Sequence, residues 1–429
     1  MWKKIFGNLI LEYLRVMALI QLRKNPRSTI IGVTGSAGKS SACLAISQIL
    51  STRGVVKHSS LANSQSGIPL DILGLHPQDY SILDWLRLVM LAPIKLCTNR
   101  EHFDYYVVEM GIDGPSYPKN MQTLLRIVRP HVGVVLNASL THAVNFDDLV
   151  GDADPNRRLT KLRSLIANEK MQLLTALPKT GVAILNLDQK ELVHHPPLPS
   201  RVLTFGKSSQ ADLQLLAHSK FSYQRQIYSL PKTGHPYTLA AAIAVAAGLG
   251  ITPKTSLSVL NSYVLPPGRG RRLSGVSHSL IIDSSYNASP QTMLESLKHL
   301  KTIGGRHHKI AVLGDMLELG ASAKLAHKNL ADWISLYADE AILYGDLMAK
   351  HTLPVLLAKK FPVRHFLTMS DLTQFLRSKL SPKSVVLVKG SQNNILLERA
   401  VESILADPSD VSLLCRRGPF WDKVRANMV

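Results

Sequence analysis

The stretch Ser28-Thr-Ile-Ile-Gly-Val-Thr-Gly-Ser-Ala-Gly-Lys-Ser-Ser41 decides how the rest of the chain is read. The apolar run from Ser28 to Thr34 predicts a buried strand, a glycine-rich turn follows, and helical spacing continues through about Leu50. Glycines let the turn wrap tightly, so that successive amide N–H groups point at phosphate oxygens, and the helix start adds a partial positive charge. Thr34, Gly35, Ser36, Ala37, Gly38, Lys39, Ser40 and Ser41 therefore form a candidate nucleotide-binding loop. In it Lys39 can reach the β- and γ-phosphates and the Ser40 hydroxyl can ligate Mg²⁺. The spacing departs from the strict phosphate-loop form, because Val33 occupies the place of the first glycine. Nucleotide binding alone leaves kinase, ATPase and ligase open.

Working outward, further β-rich runs at Tyr105–Glu109, Gly133–Leu136 and Val182–Asn186 alternate with helical stretches, which predicts a largely parallel α/β sheet. Pro266-Pro-Gly-Arg-Gly270 interrupts the alternation and reads as a domain junction. Beyond it a second α/β unit is expected: strands Leu280–Asp283, Lys309–Leu313, Ala341–Tyr344 and Ser384–Val388, with helices from Pro290 and Lys324. The expected organisation is a helix in residues 1–28, a central ATP-binding domain over 29–265 and a C-terminal domain over 266–429. The apolar segment Ser81–Lys95, edged by Trp85, Arg87 and Lys95, reads as a buried helix in preference to a membrane-touching one.

With 429 residues there is room for two or three domains, each with its own core. Cys43, Cys97 and Cys415 are far apart and lack metal-ligand spacing, which argues for a reducing compartment and against a zinc site. A formal net charge of +20 favours phosphate-bearing substrates or an anionic membrane face; no nucleic-acid-binding signature accompanies it, so no nucleic-acid partner is expected. In the first 28 residues Ile5, Phe6, Leu9, Ile10, Tyr13, Leu14, Met17 and Ile20 recur at helical spacing among Lys3, Lys4, Arg15, Arg23, Lys24 and Arg27. Glu12 and Arg15 break the apolar run, which excludes a spanning helix. A helix lying on the inner membrane face and one packed on the next domain both account for the pattern.

Thr34-Gly-Ser-Ala-Gly-Lys-Ser40 resembles the loop of the Mur ligase family. The similarity continues through Ile281-Ile-Asp-Ser-Ser-Tyr-Asn-Ala-Ser-Pro290, through Val312-Leu-Gly-Asp-Met-Leu-Glu-Leu-Gly320 with His327, and through Val388-Lys-Gly-Ser391 with Glu398. These blocks resemble the branch that adds D-alanyl-D-alanine to a muramyl tripeptide. The resemblance implies a P-loop parallel-sheet ATPase domain followed by a Rossmann-like C-terminal α/β domain. It also implies a cytoplasmic ATP-dependent ligase of peptidoglycan precursor synthesis, with ATP and Mg²⁺ as cofactors and a UDP-linked muramyl peptide and D-Ala-D-Ala as substrates.

Carried over residue by residue, the family pattern places Mg²⁺ ligands at Glu109, His142 and a carbamoylated Lys170, beside Ser40. A carboxylate suits a hard cation. The pattern places Arg269, together with Arg271 and Arg272, at the nucleotide phosphates, Asp283 near the ribose and Asn287 in the same cleft. Asn63, Tyr286, Lys389 and Ser391 fall at substrate-binding positions. Lys39, Lys170, His142 and Glu109 form the implied catalytic set. Two departures stand out: Leu239 replaces an Asn that meets the adenine, and the separate N-terminal domain that grips the uridine nucleotide is missing ahead of the loop. A Mur-like ligase with another carboxylate donor and a non-catalytic ATP-binding scaffold of wall synthesis are the alternatives.

Overall fold

The computed structural model describes residues 2–59, 62–152, 154–392 and 394–426. The side chains of Lys3, Lys4, Ile5 and Phe6 lie outside that description. The chain divides into two compact units, one of Met1–Ser139 with Asp148–Val264, the other of Leu140–Asp147 with Leu265–Val429.

The first unit is built on nine strands: β1 Thr29–Thr34, β2 Val56–His58, β3 Tyr105–Glu109, β4 Val132–Val135, β5 Val182–Asn186, β6 Arg201–Gly206, β7 Leu213–Leu216, β8 Lys220–Tyr223 and β9 Gln226–Ser229. Their order is β2-β3-β1-β4-β5-β6-β7-β8-β9. Pairing is parallel from β2 to β7 and antiparallel in the β7-β8-β9 meander. The central strands β1, β3, β4 and β5 are continuous apolar runs buried along nearly their whole length, as a parallel sheet covered on its faces requires. The helix Lys39–Leu50 packs against the Ala-rich helix Pro236–Gly248, and the helix Pro155–Thr175 lies across β4 and β1. That last approach is close: a Cβ on Gly133 of β4 would come within 2.8 Å of the Leu174 side chain.

The second unit carries a six-stranded sheet: β10 Arg271–Gly275, β11 Ser279–Asp283, β12 His308–Gly314, β13 Glu340–Tyr344, β14 Val363–Phe366 and β15 Ser384–Lys389. The order is β10-β11-β15-β12-β13-β14, parallel except for β10 against β11. Alternation along each strand feeds two cores. Ile282, Leu313, Leu343 and Leu387 join one cluster, while Ile281, Val312, Ile342 and Val386 join the other. Both faces are therefore covered, giving the doubly wound α/β layout expected from the sequence.

The first helix packs on the protein, which is one of its two readings, and one other local reading is corrected. The helix Trp2–Leu22 turns Leu14 and Ala18 into the protein, with Ile10, Tyr13 and Met17 packed beside Leu70, Leu73, Leu88 and Ala92. Much of its apolar face is thus spent on packing. Conversely, the helix Ile82–Thr98 is not buried: only Asp84, Leu88 and Ala92 are, and its other side stands in solvent. Composition distinguishes apolar from polar, but not which apolar side finds a partner.

Candidate active site

In the first unit the phosphate loop sits at the carboxyl end of β1, between the ends of β3 and β4, where open α/β sheets hold ligands. Gly38 has φ +82°, and no side chain caps the helix Lys39–Leu50. The first-turn N–H groups of that helix have no intrahelical acceptor and point toward the loop. A segment just past β4 fixes the loop. The Asn137 side chain accepts from Ala37 N–H at 2.9 Å and donates to Ala37 O at 3.1 Å. The Ser36 hydroxyl donates to Ser139 O at 2.9 Å and accepts from Ser139 N–H at 2.8 Å. Asn137 and Ser139 were not singled out from the sequence; their role depends on contacts about a hundred residues away.

Register brings the chemistry together. Val33 of β1 pairs with Glu109, the last residue of β3. The Ser40 hydroxyl donates to Glu109 Oε2, Asn63 Nδ2 donates to Oε1 at 3.1 Å, and Lys39 Nζ stands 3.9 Å from Oε1. Ser40, Asn63 and Lys39 thus converge on the Glu109 carboxylate. Lys39 Nζ also donates to Gly35 O at 3.0 Å. Ser41 is buried, with its carbonyl accepting from the Tyr263 hydroxyl at 3.1 Å.

Lys170, on the helix Pro155–Thr175, is buried. Loss of hydration first, and the nearby Lys39 charge second, pull its ammonium down to about 7, against smaller opposing pulls from Asp113 and Glu169.

The loop fits a nucleoside triphosphate. Thr34 Oγ1 is buried with no hydrogen-bond partner, and a Cβ on Gly35 would lie 3.0 Å from Leu136 Cβ, so the bend admits only backbone. The oxygen donors of Ser40 and Glu109 suit Mg²⁺. Among the described residues no three His, Cys, Asp or Glu side chains are spaced to hold a metal by themselves. That agrees with a magnesium ion held largely by phosphate oxygens. Leu239 is fully buried in the helix Pro236–Gly248, so its side chain offers nothing to a base.

The second unit holds the remaining candidates. His142 adopts φ +55° and its Nδ1 lies 2.6 Å from Glu318 Oε2; Glu318 itself has φ +62°. Short polar residues and His visit this left-handed region more readily than most. Val144 N–H donates to Glu318 O and Ala321 N–H to Asp147 Oδ2, so segment 140–147 is tied to the loop after β12. The Arg269 guanidinium lies 4.0 Å from the Tyr286 ring centre. Asp283 is buried; burial raises its carboxyl, while its Oδ1 accepts from the Ser285 hydroxyl at 2.6 Å. Lys389 Nζ donates to Asn287 O at 2.8 Å, and burial with the Arg269 charge pulls it down to about 7. Ser391 Oγ accepts from Leu317 N–H at 2.8 Å. His327 accepts from Met316 N–H at Nε2 (3.1 Å) and donates from Nδ1 to Ala323 O (2.8 Å), so it is a neutral brace, and burial lowers its pKa.

Arg416 is a residue that sequence reasoning missed. It is buried against Glu398, with Nε–Oε1 at 2.9 Å and Nη2–Oε2 at 2.6 Å. The same guanidinium donates to Ser285 O and Tyr286 O, both at 2.7 Å. Glu398 therefore holds an arginine that in turn holds the loop bearing Tyr286 and Asn287. Removing one partner of a buried pair leaves an uncompensated charge. Glu398→Ala is expected to destabilise the second unit by about 3–5 kcal/mol in urea unfolding; a loss below about 1 kcal/mol would refute this account of the pair.

Two family descriptions match this chain: Mur ligase middle domain over residues 33–242, and Mur ligase, glutamate ligase domain over residues 268–392. It is 26% identical to the UDP-N-acetylmuramoyl-tripeptide--D-alanyl-D-alanine ligase of Bacillus subtilis, over 88% of this chain and 76% of that protein. It is 25% identical to the ligase of the same name from Buchnera aphidicola, over 89% of this chain and 77% of the other. The fold superposes on the MurF ligase from Thermotoga maritima, solved in complex with ADP, with a TM-score of 0.72 at 23% identity, covering 92% of this chain and 83% of that one. The chain belongs to the Mur ligase family.

Proposed function

We propose that this ATP-dependent carbon–nitrogen ligase of peptidoglycan precursor synthesis joins the free carboxylate of a UDP-N-acetylmuramoyl tripeptide to the amine of D-Ala-D-Ala. The observation that carries the reading is the convergence of Lys39, Ser40 and Asn63 on Glu109 at the end of β3. A carboxylate is a poor acyl donor, since its leaving group would be oxide. Transfer of the γ-phosphoryl to it gives an acyl phosphate, and the amine displaces phosphate, losing a proton as the C–N bond forms. Mg²⁺ would be held in the first unit by Ser40, Glu109 and a carbamoylated Lys170 beside the phosphate oxygens, and would offset repulsion between the phosphates and the incoming carboxylate. The loop amides and Lys39 orient the triphosphate and stabilise the charge that develops on the transferring group. In the second unit Arg269 is the guanidinium proposed for nucleotide phosphates and Asp283 the carboxyl proposed for the ribose. Asn63 in the first unit, and Tyr286, Asn287, Lys389 and Ser391 in the second, are the residues proposed for substrate binding.

The test is phosphate release from ATP with UDP-N-acetylmuramoyl tripeptide, with and without D-Ala-D-Ala, followed by mass spectrometry. Dipeptide-dependent release and a pentapeptide product are expected. Nucleotide binding without release under either condition would overturn the assignment of this donor.

The reading places the enzyme in the cytoplasm, in peripheral contact with the inner membrane face through residues 1–28. No helix among the described residues is long and apolar enough to cross a membrane. The contact is supported by the exposed Arg23, Lys24 and Arg27 that follow the helix Trp2–Leu22.

A further inference from the structure

The helix Ile82–Thr98 presents a face that the fold leaves uncovered. Ile82 and Leu83 are each 77% exposed and Met90 73%, with Leu86 and Ile94 about half exposed. At ~100° per residue these five fall within an arc about 120° wide, and the other exposed positions in that arc, Pro93 and Cys97, are also uncharged. The opposite side, with Leu88 and Ala92, is packed beneath. An unbroken apolar stripe on a helix already anchored by its other side marks an interaction surface.

Its charge surroundings select the occupant. The acids of this helix and of the helix Trp2–Leu22 that packs against it are neutralised: Asp84 pairs with Arg87 at 2.6 Å, and Glu12 with Arg15 at 2.7 Å and Arg126 at 3.2 Å. Gln21 and Lys24 reach Asn99 O, and Lys24 also reaches Leu96 O, so the carboxyl ends of the two helices meet. Exposed Arg23, Lys24, Arg27, Lys95 and Arg100 gather at that end. Asp79 precedes the helix at its other end, and Glu101, next to Arg100, is paired with Lys57 at 2.5 Å. An apolar stripe ending in a knot of cations complements an anionic bilayer, where the stripe enters the acyl boundary and the cations meet headgroup phosphates.

We propose that the helix Ile82–Thr98 is the element by which this protein docks on an anionic membrane surface. This rests on the peripheral contact proposed above and transfers its apolar part from residues 1–28 to this helix. The test is flotation of the full chain with vesicles of phosphatidylglycerol and phosphatidylcholine, and with phosphatidylcholine alone. The chain is expected to float with the anionic vesicles, and Met90→Glu with Ile94→Glu to lower partition at least about tenfold. Lys95→Ser is expected to weaken binding about fivefold. Thermal unfolding and ATP binding, which do not involve these residues, are expected to stay unchanged. Anionic-vesicle binding that survives the double substitution would overturn the role of this helix while leaving the contact of residues 1–28 standing. No binding by the unaltered chain would overturn both. A dimer in solution that the double substitution dissolves, with no vesicle binding, would assign the stripe to a second copy instead.

Discussion

Lys39→Ala is expected to reduce turnover by at least about a thousandfold while leaving the fold intact. The two halves of this expectation come from different contacts. Structurally Lys39 contributes little: one bond to Gly35 O at 3.0 Å and a 3.9 Å approach to Glu109 Oε1, at a side chain still 18% exposed. Losing them costs at most about 1 kcal/mol. On the proposed function, the ammonium would meet the β- and γ-phosphates, where charge accumulates as the phosphoryl group moves. The matched measurements are ADP release under saturating substrates and urea unfolding of the same preparation. Turnover within tenfold of the unaltered enzyme would remove Lys39 from the reaction. A large loss of stability instead would make it a structural residue of the loop.

The loop could be read from the sequence because strand, turn and helix signals coincide there, and a Lys-Ser pair has few other uses after such a turn. The helix starting at Pro290 was equally legible: Ser289 accepts from Thr292 N–H and the Thr292 hydroxyl accepts from Ser289 N–H, a reciprocal cap encoded within four residues. The β8–β9 hairpin was not. Its turn residues Gln224 and Arg225 take φ +49° and +65°, where Asn or Gly would have announced the bend. Arg416 was illegible for another reason. Its partners Ser285 and Tyr286 lie 131 and 130 residues away, and nothing local distinguishes a guanidinium that will be buried from one that stays in water. The convergence on Glu109 lies between these cases, because residue types could be named in advance but their meeting depends on the β1–β3 register.

Lys170→Met is expected to change stability and activity in opposite directions. A buried ammonium beside Lys39 is held against its preference, which is why Lys170 is pulled down to about 7. In the unfolded chain a lysine titrates near 10.4. Between those pH values the unfolded chain binds more protons, so stability rises with pH through that window, and the penalty of burying the amine is fully present below about pH 7. Methionine has similar length and no charge, so at pH 6 the variant is expected to be more stable by on the order of 2 kcal/mol. The advantage should shrink as pH rises toward 10. Activity should go the other way. Near neutral pH a large fraction of the amine is uncharged, the form whose lone pair can attack carbon dioxide, lose a proton and become a carbamate. That change would replace a cation beside Lys39 with an anion and would create an oxygen ligand for Mg²⁺, which methionine cannot do. Turnover of the unaltered enzyme is therefore expected to rise with added bicarbonate, and that of Lys170→Met to be lost at every bicarbonate concentration. A methionine variant that is less stable at pH 6 would contradict the burial argument, and one that keeps its activity would remove the carbamate from the site.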